Sequence, residues 1–155
     1  MTETMLAFRD IVERLRADTG ASRTTIRVDC APLNLDVETV AAESRDDGVR
    51  ALEGRQTPGV RTGAAARWLL ENRRPFVMAD CLNPWAPEVA PEKYVIDLYG
   101  IRAEMVCGVF RDDDMVGIVS VHYTKGARAW SVAEVAMIQH ACDAVRAILD
   151  AIEDV

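Results

Sequence analysis

Apolar side chains recur three and four residues apart at the start of the chain, and this spacing predicts a helix. Met5, Phe8, Ile11, Val12 and Leu15 fall on one side, with Arg9, Glu13, Arg14 and Arg16 on the other. Gly20 supplies its stop. The Thr and Val content of SRTTIRVDC, residues 22–30, then favours an extended strand. Pro32 and Asn34 turn the chain. LDVETVAAES, residues 35–44, predicts a second strand, antiparallel to the first. Residues 44–61 are polar and carry three of the nine glycines, so they read as a loop with one short helical turn at 49–53. TGAAARWLLENRRP, residues 62–75, predicts a short helix ended by Pro75. FVMAD is a short strand, CLNPWAPEVAPEK a proline-rich loop, and EKYVIDLYGI a short helix or turn ending at Gly100.

AEMVCGVF and MVGIVSVHYT, residues 103–110 and 115–124, give the strongest strand signals. They are apolar at nearly every position, which predicts a sheet covered on both faces. RDDD makes the tight turn between them. With Asp113 and Asp114 as the two loop residues, Cys107 pairs with Ser120 and Met105 with His122, and all four share one face. A slip of one residue would undo that arrangement. Near the C-terminus, SVAE is a capping box that opens a long helix. Val135, Ile138, Cys142, Val145, Leu149 and Ile152 form its stripe, widened by Ala141 and Ile148. The stripe is wide enough to meet a second copy as well as the sheet, so a homodimer through the terminal helices is expected.

The chain has 155 residues, half of them hydrophobic, which suits one globular domain spanning residues 1–155. Its formal charge of −7, with no concentrated Lys/Arg stretch, argues against nucleic-acid binding. No apolar run is long enough for a bilayer and the charged N-terminus has no signal-peptide core, so no membrane role and a cytoplasmic location are expected. Cys30, Cys81, Cys107 and Cys142 are far apart with no CxxC pair, so no metal site is expected, and in a reducing compartment they read as small buried thiols.

Three stretches in this order, RTGAAARWLLENRRPFVMAD, YGIRAEMVCGVFRDDDMVGIVSVHYT and ARAWSVAEVAMIQHACDAV, resemble a GAF domain over nearly the whole chain. The resemblance implies an α+β fold, an α/β sandwich. A central antiparallel sheet would carry the terminal helices on one face and a small-molecule pocket with its loops on the other. It also implies a sensory or regulatory protein in signal transduction, acting through a dimer or a protein partner. The motifs of the specialised branches are not matched. GIVSVHYT is similar to a phytochrome strand that reads GLxxCHH, but Val121 stands where those have Cys and Tyr123 where they have a second His. Their Asp-Ile-Pro stretch is replaced by NPWAPEVAPEK, and the cyclic-nucleotide signature of Asn-Lys, Phe and Asp-Glu is missing. Haem would need His122 or His140 as an axial ligand by coincidence of position. No cofactor is therefore expected, with bilin, haem and cyclic nucleotide unsupported by motif.

The candidate ligand-binding residues are Glu104, Met105, Cys107, Ser120 and His122 on the sheet, with Asp80, Trp85, Tyr94 and Tyr99 around the loop that would form a lid. His122 would bind an anionic or carbonyl-bearing ligand or shuttle a proton; the alternative is a satisfied histidine in a strand. The aromatic residues could equally close the core. Cys81, entering a loop after Asp80, is expected to be exposed yet blunted by that neighbouring acid. An alternative function is a redox enzyme distantly similar to the free methionine-(R)-sulfoxide reductase branch of the family, with Cys107 or Cys81 and His122 as catalytic residues. Glu104 matches the Glu of that branch, but Ser120 and His122 replace its two Asp residues and the cysteines fall elsewhere. That relay needs an attacking thiolate and a resolving thiol, which weighs against an enzyme. The remaining alternative is a structural dimerisation module with a collapsed pocket.

Overall fold

The computed structural model describes residues 2–153. Helix α1 (Glu3–Thr19) begins where the Thr2 hydroxyl accepts the Met5 N–H at 3.1 Å, and ends at Gly20 in the left-handed region at φ 67°. Its predicted apolar side is the buried one: Phe8, Val12 and Leu15. After it come β1 (Arg23–Val28), β2 (Ala42–Arg45), α2 (Ala64–Asn72), β3 (Phe76–Met78), α3 (Lys93–Tyr99), β4 (Ala103–Arg111), β5 (Asp114–Tyr123) and α4 (Val132–Glu153). The strands form one antiparallel sheet in the order β2-β1-β5-β4-β3. The predicted α+β architecture is the observed one.

The capping box is formed in full. The Ser131 hydroxyl accepts the Glu134 N–H at 3.1 Å and the Glu134 carboxylate accepts the Ser131 N–H at 2.9 Å. Helices α1 and α4 cover one sheet face, closing a core of Phe8, Val12, Ile26, Met105, Val121 and Ile138. A second core lies on the opposite face, where Leu69 of α2 and Ile96 of α3 meet Phe76, Met78 and Ile118.

Three local predictions are corrected. The second strand is shorter than 35–44, because polar side chains there satisfy the backbone locally. Asp36 accepts the Glu38 N–H at 2.8 Å and Asp29 accepts the Val37 N–H at 3.1 Å, leaving Ala42–Arg45 to pair with β1. The helical turn expected at 49–53 is absent; the Leu52 N–H goes instead to the Glu43 carboxylate at 2.7 Å. The third correction concerns the central hairpin. Its tip is Asp112–Asp113, with Asp112 left-handed at φ 53° and Arg111 paired with Asp114. Moving the tip back by one residue shifts every pairing by two and leaves the faces unchanged. An irregularity between Val109 and Phe110 adds a further shift of one and exchanges them. Cys107 therefore pairs with Val119, Met105 with Val121, and Glu104 with His122. Met105 and Cys107 join the core under the terminal helices and do not share a face with Ser120 and His122.

Gly108 and Gly117 are the small residues that let neighbours close over this hairpin. A Cβ on Gly117 would lie 2.9 Å from the Arg27 carbonyl and 3.2 Å from Val109 Cβ, both fixed by the sheet. One on Gly108 would meet the Phe110 ring at 2.7 Å and Met115 Sδ at 3.1 Å, the far ends of side chains that can turn away. Gly117→Ala is expected to destabilise the fold by about 1–3 kcal/mol in urea unfolding. Gly108→Ala should be clearly milder, and equal losses would contradict this register.

Candidate functional site

One lateral row crosses the sheet on the face away from the terminal helices. The pairings Arg45–Arg23, Arg23–His122, His122–Glu104 and Glu104–Met78 carry it through all five strands. The next row on that face runs through Glu43, Thr25, Ser120, Val106 and Phe76. In β1 this follows from alternation: Thr24, Ile26 and Val28 face the terminal helices, so Arg23, Thr25 and Arg27 face the other way.

The middle of the row is polar and closed from solvent. Arg23 is 0% exposed, Glu104 5% and His122 7%. Arg23 Nη1 contacts His122 Nδ1 at 3.1 Å, and Glu104 Oε2 lies 3.8 Å from His122 Nε2. Both terminal nitrogens of Arg23 reach the Tyr99 carbonyl at 3.4 Å, and Nη2 also donates to the Arg50 carbonyl. Arg23 Nε lies 3.4 Å from a Glu43 oxygen without making a hydrogen bond, leaving a buried donor unsatisfied. Beside it, Arg27 donates to the Val37 and Glu38 carbonyls at 3.2 and 3.0 Å and to the Thr57 hydroxyl at 2.9 Å. The end of α3 and the loop after β2 are thus tied down over the sheet through two arginines.

Burial controls the charges here. It raises the Glu104 carboxyl to about 7. It lowers the His122 imidazole to about 3, helped by the charges of Arg23 and Arg27. The two side chains form a neutral pair over much of the acid range, despite the approach of a carboxylate and an imidazole. Cys81 follows β3 and points into the same region. Its thiol is pushed up to about 12, first by burial, then by Glu104 and Asp80. The expectation that Cys81 is exposed is corrected, since it is 3% exposed, while the predicted blunting by a neighbouring acid is present as a secondary cause.

The structure brings Glu104, expected only at the rim, onto one face with Ser120 and His122 and adds Arg23, Arg27 and Glu43, which the sequence reading missed. The strict alternation of Arg23, Thr25 and Arg27 in an otherwise inward-facing strand was the available signal. Met105 and Cys107 lie across the sheet. Tyr99 contributes its backbone carbonyl. Trp85 and Tyr94, expected to line a lid, instead stand outward at 60% and 66% exposure. Trp85 donates its indole N–H to the Val77 carbonyl at 2.8 Å and packs on Phe76 at 5.6 Å between ring centroids. Asp80 caps a turn by accepting the Leu82 N–H at 3.0 Å.

No helix among the described residues is long and apolar enough to cross a membrane. No group of three or more His, Cys, Asp or Glu side chains among them is arranged to hold a metal ion.

The model of the GAF domain matches residues 5–149. No curated protein matches the chain. Among solved structures, the GAF domain of PixJ from Thermosynechococcus elongatus in its blue-light absorbing form superposes with a TM-score of 0.75, at 17% identity over 97% of this chain and 87% of that one. A phycocyanobilin-bound GAF domain from a cyanobacterial phytochrome gives 0.72 at 19% identity, over 94% of this chain and 84% of that one. A protein with bound biliverdin IXα, in a far-red absorbing dark state, gives 0.75 at 18% identity, over 99% of this chain and 93% of that one. These likenesses are of fold. They correct the expectation that bilin is unsupported: bilin-bearing domains are among the structures that share this architecture, so the departures at Val121, Tyr123 and residues 83–93 do not dismiss that ligand class.

The charge assignments have opposite consequences for stability. Glu104 holds its proton up to about 7 when folded and releases it at the ordinary value of 4.5 when unfolded, so its contribution is full below 4.5 and is lost as pH rises through 7. His122, depressed from 6.5 to about 3, contributes fully above 6.5 and loses this as pH falls through 3. The two slopes offset each other between 4.5 and 6.5. Glu104→Gln removes one of them. The urea midpoint of Glu104→Gln should gain on wild type steadily as pH rises from 4.5 to 7, and that of His122→Gln should lose on it between 3 and 6.5. A constant offset for both variants would show that neither group is shifted.

Proposed function

Because the chain belongs to the GAF domain family, we propose that it is a small-molecule sensor whose ligand docks against the Arg23–His122–Glu104 row. The observation that carries this reading is the row itself: a fully buried guanidinium with an unsatisfied Nε beside a buried imidazole and a buried carboxyl, lowered to about 3 and raised to about 7 by that burial. Burying such groups is unfavourable for a fold that needs only apolar contacts, and strongly shifted groups gather where ligands bind. The ligand carries an anionic or carbonyl acceptor towards Arg23 and His122. Its apolar body packs towards Met78, Ile96 and Ile101. Entry requires the loop after β2 and the end of α3 to lift, since their carbonyls hold Arg23 in the closed state. The bilins of the similar structures are one such class of molecule.

The response leaves through α1 and α4, which pair with a second copy. A groove of about 380 Å³ between them is lined by Ile11, Met137, Ala141 and Ala144, with Asp10, Arg14 and Asp18 along its α1 side. In an antiparallel second copy whose axis passes between Asp10 and Arg14, Asp10 of each copy would face Arg14 of the other, adding charge complementarity to an apolar seam. Ligand acts on this seam only by favouring one arrangement of it.

Native mass spectrometry of the purified protein, repeated after denaturation, tests the ligand reading. A bound mass that disappears on denaturation is expected, or a complex formed on adding biliverdin or phycocyanobilin to bare protein. A protein that stays bare with these probes and with a panel of anionic metabolites would overturn it. For the seam, the chain should sediment as a dimer. Ala144→Arg, a change at an exposed position, should sediment as a monomer with unchanged helix content.

A further inference from the structure

Two thiols outside the site meet across the other face of the sheet. Cys107 of β4 and Cys142 of α4 are far apart in sequence, and the packing of α4 on the sheet brings both into one core cluster, where each thiol shifts the other's hold on its proton. Each is 6% exposed. Both line a cleft of about 370 Å³ whose other walls include Arg73, Arg74, Gln139 and Asp143, so the pair sits at the floor of an opening rather than sealed in the core.

We propose that Cys107 and Cys142 form a redox couple that a hydroperoxide closes to an intramolecular disulfide, fastening α4 to β4. The Cys107 thiolate attacks the terminal peroxide oxygen, the O–O bond breaks, and the leaving oxygen takes up a proton. Cys107 is then a sulfenic acid. Cys142 attacks the Cys107 sulfur, the S–O bond breaks, and water leaves. In sum two thiols and one hydrogen peroxide give one disulfide and two waters, with sulfur oxidised and peroxide oxygen reduced.

The division of labour follows from that mutual effect. The Cys142 thiol lowers the Cys107 thiol and is itself raised by it, and the Cys107 sulfur lies 3.8 Å from the Gly108 carbonyl. Cys107 is therefore the sulfur that meets the oxidant, and Cys142 resolves it. Arg73 and Arg74 line the same cleft, while the Asp143 carboxylate opposes ionisation of both thiols. A disulfide holds its two sulfurs about 2 Å apart, so closing it would draw α4 towards β4. Cys81 takes no part, because burial and its neighbouring acids hold its proton firmly.

The test treats the full-length protein with a small excess of hydrogen peroxide under native conditions. The free thiol count, read after denaturation, should fall from four to two, with the mass of two hydrogens lost and restored by dithiothreitol. A non-reducing peptide map should link the peptides of Cys107 and Cys142. In Cys142→Ser, the same treatment should leave Cys107 trapped by dimedone as a sulfenic acid adduct. Four intact thiols, oxygen added to Cys107 in wild type without a link, or a link through Cys30 or Cys81 would each overturn the proposal. The wild-type map decides the matter even if the Ser variant fails to fold.

Discussion

Between Val109 and Phe110 the ladder of β4 on β5 slips by one residue, and the face on which each upstream side chain stands follows from that slip. With it, Glu104 stands beside His122, and Met105 and Cys107 turn under α1 and α4. Without it, a buried carboxyl would be driven into the apolar core beneath the helices, and two apolar side chains would face the polar row. Bulges of this kind re-aim side chains at the price of one local irregularity. Here the irregularity lies close to the hairpin tip, so the long paired stretch before it stays regular.

Given that register, the rest of the polar face is an electrostatic problem. Arg23 is carried into the interior by β1 and held there by carbonyls of two separate segments, those of Arg50 and Tyr99. Burial, helped by the Arg23 charge, depresses the neighbouring imidazole, and burial raises the next carboxyl to about 7. Below about pH 7 the row thus sets one guanidinium beside a neutral imidazole and a neutral acid. The same carbonyls that accept from the terminal nitrogens of Arg23 also cover the row, so in the proposed sensor ligand entry would require the covering segments to move.

The opposite face is governed by packing. Helices α1 and α4 seal the larger core, and the amphipathic stripe of α4 is broad enough to leave Met137 and Ala144 beside the outer groove. The thiol pair lies on this face too, so the element that would carry a response from the ligand face is also the one a disulfide would fasten. The two sites are on opposite sides of the sheet and need not interfere chemically. They share one strand, since β4 carries both Glu104 and Cys107.

The features legible in the sequence are those that act over a few residues. The helical periods of α1 and α4, the stop at Gly20 and the reciprocal bonds of Ser131 and Glu134 depend on neighbours three or four positions away. The antiparallel hairpins followed from strand patterning, and the resemblance of ordered motifs named the family and implied the α+β class. Glu104, Ser120 and His122 were recognisable as polar residues interrupting apolar strands. Their company was not: Arg23 reaches His122 only through the pairing of β1 with β5, Cys107 meets Cys142 only where α4 crosses β4, and the outward stance of Trp85 and Tyr94 depends on how the proline-rich loop packs on β3. Alternation along a strand fixes which residues share a face, but the choice of face is made by cross-strand pairing, and one bulge at Val109–Phe110 was enough to reverse it.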